Sequence, residues 1–371
     1  MLGTVKTNPD PYNGKRIVSI ELLRIIATVM IIAHHFSVHG GIEFESSIIT
    51  VNRLWVQFIE LGGKTGVNLF VMITGYFGIT AKRRNNLRLV KLWLTVLFYS
   101  VTLYLAFVIA GEETFSVSRF IRSVFPVTFA GWWFASAYIA LCLFAPFMNT
   151  LLKTLSKRDY RILLLIMAFC WCLPSTFLNA EIEGNDLLWF VFIYSLAGYI
   201  RLYGAEKTNT AAGYFSLAAI TLTLTLSSVV FIDVLGARHA LFANCATYFL
   251  GMKKLPVLLI SVFVFLGFLK LRVKSGALIT LLSPAMFGVY LIHDSDLVRG
   301  LIWDKAFCVK ALGDFALLIP YTIAAVALVF SVCSLIELAR IRFLENIYSK
   351  ALWRLLVFFA EKANKLADRM A

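Results

Sequence analysis

"RIVSIELLRIIATVMIIAHHF", from Arg16 to Phe36, is built mostly of Ile, Val, Leu and Ala. It nevertheless carries Glu21 and Arg24 near one end and His34 and His35 near the other. A run of this length and apolarity suits a helix crossing a hydrocarbon core about 30 Å thick, which takes about 17–25 residues. Ionisable groups inside such a helix face a partner or a cavity rather than lipid. With about 100° per residue, Arg24 and His35, eleven positions apart, differ by only about 20° after three turns. Glu21, Arg24, Thr28 and His35 therefore share one inward stripe, and Glu21 and Arg24 are spaced i,i+3 for pairing. About 16 Å of helical rise separates Arg24 from His35. His34 points about 100° to one side and is expected to pack or cap.

The rest of the chain agrees with a membrane setting. Of its 371 residues 60% are hydrophobic and 15% charged, with a mean hydropathy of +0.81. Soluble domains are nearer 25% charged. The 32 Phe and 14 Tyr fit lipid-facing helices and interfacial belts. Ten helices are predicted: Val18–Val38, Gly62–Ile79, Leu92–Ala110, Trp132–Leu151, Ile162–Leu178, Leu187–Leu202, Ala212–Val234, Leu255–Leu269, Ala277–His293 and Phe315–Leu338. The first lacks a small-residue cleavage site and is expected to be retained rather than removed as a signal peptide. The fold class is thus all-α, a polytopic membrane protein of about ten spans.

The net charge of +14 does not point to nucleic acid, because Lys and Arg cluster in the short segments between apolar runs. With the N-terminus in the cytoplasm, 24 of the 35 basic residues fall on the inner side and 10 on the outer. The acids lean the other way, 13 of 21 outside. That bias predicts both termini inside. Residues 1–340 are expected to form the membrane domain, and 341–371 an amphipathic helix on the inner leaflet, in contact with membrane lipids. The six cysteines lie in or beside apolar runs and read as packing residues. No metal is expected: His35 and His39 are spaced i,i+4, but no Cys, Asp or third His adjoins them in sequence.

Several stretches in a fixed order resemble one family. Arg24, ten residues and His35 stand within "IELLRIIATVMIIAHH"; "GVNLFVMITGYFGI" (Gly66–Ile79) carries Thr74-Gly75-Tyr76. "WWFASAYIALCLFAPFMNTLL" (Trp132–Leu152), "FIYSLAGYIR" and "SPAMFGVYLIHD" (Ser283–Asp294) follow. Together, over roughly Lys15 to Leu338, they resemble the membrane-bound acyltransferase-3 family, integral-membrane O-acyltransferases of cell-surface glycans. Thr74-Gly75-Tyr76 departs from the Ser-Gly-Phe/Tyr typical of that family's second span.

The resemblance implies that Arg24 and His35 are both needed for transfer of an acyl group, acetyl above all, from cytoplasmic acyl-CoA to a glycan hydroxyl. It also implies a surface polysaccharide or its lipid-linked precursor as the acceptor and a bacterial cytoplasmic membrane as the setting. Imidazole titrates near neutral pH, so His35 suits the base; transient acylation of His35 is the alternative. Arg24 suits donor phosphates or the thioester oxygen. Arg84, Arg88 and Lys91, beside the second and third spans, are candidates for the CoA phosphates, or plain inner-side charge. Glu21, Thr74, Tyr76, Trp133, Tyr138, His293 and Asp294 are candidates for the acceptor side, with Trp133 and Tyr138 also readable as belt aromatics. The expected chain ends soon after the tenth span, without an appended esterase-like domain, which favours transfer within the membrane domain. A secondary transporter or flippase for a glycan or small anion is the competing reading, weakened by the lack of paired broken helices or an internal repeat.

Overall fold

The computed structural model describes residues 17–44, 49–81, 86–129, 131–180, 182, 185–204, 210–242, 245–274, 276–345 and 347. Among them there are helices and turns but no strand. The helices are α1 (Val18–Gly40), α2 (Val51–Gly78), α3 (Asn86–Ile109), α4 (Val117–Val124), α5 (Trp133–Thr154), α6 (Lys157–Trp171) and α7 (Leu173–Leu178). They continue as α8 (Asp186–Tyr203), α9 (Ala211–Arg238), α10 (Leu255–Lys270), α11 (Ala277–Leu282), α12 (Met286–His293), α13 (Asp296–Arg299) and α14 (Leu318–Ala339).

All ten predicted segments are helical. Among the described residues, seven helices are long and apolar enough to cross a membrane: α1, α3, α5, α6 with α7, α8, α9 and α14. The pair Ala277–His293 and Asp296–Ala306, bent by 76°, makes an eighth when counted as one span. The chain is therefore a multi-pass membrane protein. α10 is apolar but only 16 residues long. α2 is long but carries Arg53, Glu60, Lys64 and Asn68, and most of its residues are buried against neighbouring helices. A helix sheathed by protein need not be apolar all round.

α2 also begins eleven residues before its predicted start. The Thr50 side chain accepts a hydrogen bond from the Arg53 amide and caps the helix. The polar first turns then find partners in α9: Arg53 and Gln57 both donate to the Asp233 carboxylate, Gln57 at 2.9 Å. At the opposite end of the bundle, Arg340 grips buried Glu337 with two hydrogen bonds of 2.6 and 2.7 Å, and Tyr99 donates to the same carboxylate. Glycines let the central helices touch. A Cβ at Gly66 would meet the Ala27 carbonyl oxygen of α1 at 2.8 Å, and one at Gly75 would run into the Tyr194 backbone of α8. α1 and α2 thereby form the centre, with α8, α10, α12 and α14 around them.

The predicted tail at 341–371 continues helical through Leu344, with residues 348–371 outside the described set.

Removing one partner of a buried ion pair strands the other charge. Asp233→Leu is expected to cost about 3 kcal/mol of stability, read as a lower thermal unfolding midpoint of the detergent-purified protein. The double variant Arg53→Met/Asp233→Leu should recover most of that loss; an equally unstable double variant would show that the pair is not the pin.

Candidate active site

α1 carries the site from one end to the other. Near its start, the Arg24 guanidinium donates to the Ser283 hydroxyl at 3.2 Å. Ser283 stands at the short turn between α11 and α12, where Pro284 interrupts the helix. Thr28 donates to the Arg24 carbonyl. Near its end, His35 Nδ1 lies 2.9 Å from His293 Nε2 and 3.6 Å from Asp294 Oδ1. Asp294 Oδ1 is also 3.3 Å from His39 Nε2 and 3.8 Å from Arg299 Nε. These last residues sit where the chain bends by 76° between α12 and α13, so the bend brings Asp294 beneath the end of α1.

The hydrogen bonds choose the histidine tautomers. His293 Nδ1 is 2.6 Å from the Val289 carbonyl oxygen, which only accepts, so Nδ1 carries a proton. In neutral His293 the other nitrogen, Nε2, is then an acceptor and receives a proton from His35 Nδ1. The second neighbour of that nitrogen, the Asp294 carboxylate, is also an acceptor. His35 is therefore held with its proton on Nδ1 and a lone pair on Nε2. The remote partner that orients a base is a recurring part of acid–base sites.

Two cavities lie against this stripe. One, of about 340 Å³, is lined by Thr28, His34, His35 and His39 of α1, Lys64 and Phe70 of α2, Trp133 and Phe134 of α5, and Asp186. The other, of about 700 Å³, is lined by Arg24, Thr74, Arg88, Tyr138, Asn149 and Lys153, among others. The two share consecutive turns of the same helices: Phe70 faces one and Thr74 the other on α2, Phe134 and Tyr138 likewise on α5. The Phe134 and Tyr138 rings stack at 5.5 Å and 16° between them. Thr74 donates to the Phe70 carbonyl, so the 2.8 Å contact with Tyr138 is the phenol donating to the Thr74 oxygen. One cavity is cationic and opens at the Arg24 end of α1; the other carries imidazoles and opens at the His39 end.

Several candidate residues fall differently from expectation. His34 is not set aside: its Nδ1 donates to the Glu60 carbonyl at 2.9 Å, and its ring lines the same cavity as His35. Glycine makes this possible, since a Cβ at Gly63 would overlap the His34 side chain. Lys91 turns to the Glu345 carboxylate at the surface and lines neither cavity. Arg88 does line the cationic cavity, while Arg84 lies outside the described residues. Tyr76 sits about 200° around α2 from Thr74 and faces away, its hydroxyl receiving a hydrogen bond from Arg201 at 3.1 Å. Glu21 is half-buried one turn before Arg24 and lines neither cavity. His293 and Asp294 are buried behind His35 rather than facing an acceptor.

Trp133 and Tyr138 are brought to different cavities. Lys153, Ser283 and Arg299 had no signal in the sequence beyond ordinary polarity. His39 did, through its i,i+4 spacing from His35. Folding adds the Asp that sequence neighbours lacked: donor atoms of His35, His39 and Asp294 lie within 4.8 Å of one another, a possible metal-binding set. Arg299, however, places its guanidinium against two of the three, 3.4 Å from His39 Nε2 and 3.8 Å from Asp294 Oδ1. Positive charge at that position is thus already supplied by the protein.

The helical bundle thus holds a cationic cavity and a histidine-lined cavity on consecutive turns of the same helices. The chain belongs to the acyltransferase domain family, whose sequence profile matches residues 17–338. This makes it an integral-membrane acyltransferase and gives no support to the transporter reading. Comparison with curated proteins and with solved structures finds no match.

The tautomer assignment is open to direct measurement. In protein labelled with ¹⁵N at its five histidines, the His35 and His293 rings should both report protonation at Nδ1 with a bare Nε2. A His35 ring protonated at Nε2 would refute the hydrogen-bond order.

Proposed function

We propose that the protein takes an acyl group, acetyl in the first instance, from acyl-CoA at the Arg24 face. It passes the group to a hydroxyl of a cell-surface glycan or its lipid-linked precursor at the His35 face. The observation that carries this reading is the pair of cavities aligned along one stripe of α1, with Arg24 in one and His35 in the other. A bacterial cytoplasmic membrane fits the inward bias of basic residues, which puts the Arg24 end in the cytoplasm.

Arg24, Arg88 and Lys153 supply cations for the phosphates of CoA, with the pantetheine arm laid along the Thr74–Tyr138 wall. The thioester then meets the acceptor at the seam between the cavities. His35 Nε2 takes the proton of the acceptor hydroxyl as its oxygen bonds to the thioester carbonyl carbon. The carbon–sulfur bond breaks, and the departing CoA thiolate recovers the proton from His35. The balance is one ester and one free thiol for one thioester and one hydroxyl. His293 and Asp294 bear on His35 Nδ1 and keep the lone pair on the reacting side. Trp133, Lys64 and Asp186, which line the His35 cavity, are placed to receive the acceptor.

The test uses purified full-length protein with radiolabelled acetyl-CoA. His35→Ala should bind CoA normally and lose label transfer by about 10²–10⁴-fold, the usual worth of a general base. His34→Ala should lose far less, because His34 is tied to the Glu60 carbonyl and not to the His293–Asp294 pair. Arg24→Ala should weaken CoA binding itself. Absence of CoA binding by the unaltered protein would sink the reading.

A further inference from the structure

A third cavity, of about 490 Å³, lies at the His39 end of the bundle under α4, and the acyl-transfer scheme makes no use of it. Its wall is rich in hydroxyls and cations: Ser100, Ser118, Ser295, Arg119 and Arg122 all face it. Arg119 is committed to Glu113 at 2.7 Å and Asp296 at 3.2 Å, while the Arg122 guanidinium lies 5.6 Å over the Phe129 ring. Trp132 completes the wall. It is 95% buried, and its indole N–H has no hydrogen-bond partner among the described residues. A buried donor without an acceptor calls for an occupant that brings one. Serine hydroxyls, arginine and aromatic faces with an unused N–H form a lining suited to a sugar, which offers oxygen acceptors at its rim and C–H faces to the rings.

The other side of α4 says how that sugar is carried. Val117, Ile121 and Phe125 recur at helical spacing and are 65%, 48% and 52% exposed. An eight-residue helix with one bare apolar side and one side of Ser and Arg has the pattern of a helix lying in the plane of a membrane interface. The cavity beneath it therefore opens where a lipid head group sits, with acyl chains able to run down beside the bundle. Its lining also runs next in sequence to residues of the acyl-transfer site at two places. Ser295 and Asp296 directly follow Asp294, and Trp132 directly precedes Trp133 of the His35 cavity.

We propose that this cavity binds the saccharide head group of a membrane-anchored glycolipid. The proposal rests on the acyltransferase reading for its biological sense and deepens it. Of the two acceptor forms, it selects the lipid-linked precursor over the finished polysaccharide, held by its head group next to His35. Trp132 donates its N–H to a sugar oxygen, Arg122 adds a charged donor, and α4 keeps the lipid anchor in the bilayer.

Native mass spectrometry of the full-length protein released from phosphatidylcholine nanodiscs containing glucosyl-diacylglycerol reads this directly. The unaltered protein should retain glucosyl-diacylglycerol in clear preference to phosphatidylcholine. Trp132→Phe, which keeps the ring and removes the N–H, should lower that retention about fivefold, the worth of one hydrogen bond. Arg122→Gln, at an exposed position, gives a second variant safe from misfolding and should lower it as well. Acetyl-CoA binding, measured on the same samples, should be unchanged in both, since neither residue lines the Arg24 cavity. No preference for the glycolipid in the unaltered protein, or equal retention by both variants, overturns the proposal. Loss of acetyl-CoA binding in the unaltered protein would instead strike the acyltransferase reading, whatever the lipid result.

Discussion

A polar group inside a membrane bundle must be answered by another polar group, because lipid offers none. The contact of His35 with His293 and Asp294 is where that rule shapes the molecule most. It ties the end of α1 to the bend between α12 and α13 across 258 residues of chain. At the same spot the Asp294 carboxylate gathers His35, His39 and Arg299 around it. Arg24 and Ser283 repeat the device at the other end of α1, again where α11 breaks into α12. Two breaks in one segment are thus each paired with one ionisable residue of the first helix.

This pairing explains what was legible in the sequence and what was not. The stripe of Arg24, Thr28 and His35 could be read from spacing alone, because a helix sets its own side-chain directions. All ten helical segments could be read for the same reason. The partners could not. His293 is an ordinary histidine at the end of an apolar run until the bend folds it under His35. The extra eleven residues of α2 were hidden because Arg53 and Gln57 look like loop residues until Asp233 of α9 receives them, as does Asn52 until it meets the Gly313 and Phe315 carbonyls. Tyr76 was misjudged by adjacency to Thr74, although two positions in a helix look in nearly opposite directions. His34 packs against α2 as its angle implied, but Gly63 lets α2 come so close that the cavity wraps around its ring as well.

The arrangement also shows a division of labour among helices. The lipid-facing helices α5, α6 and α9 expose large side chains freely, with Phe147, Phe169 and Phe231 each more than 60% exposed. The inner helices α1, α2 and α12 carry the histidines and most of their partners and bury more of their surface. Polarity is concentrated where two or three helices can share it, and the remaining helices insulate that centre from the bilayer. The aromatic residues follow the same division: Trp133 and Phe134 border the histidines, while Tyr138 borders the cationic side.

The wall between the two cavities is only as thick as a stack of rings, Phe134 on Tyr138, with Tyr290 edge-on to Phe134 at 5.3 Å. For a protein proposed to pass an acyl group from one side of a membrane to the other, that stack is also its electrical insulation. A thioester arm is thin and uncharged near its tip, so an apolar ring wall costs it little desolvation. The apolar faces of the rings offer a hydrated ion nothing to replace its water. The same few rings would let the enzyme link the chemistry of two compartments while the voltage across the membrane is kept.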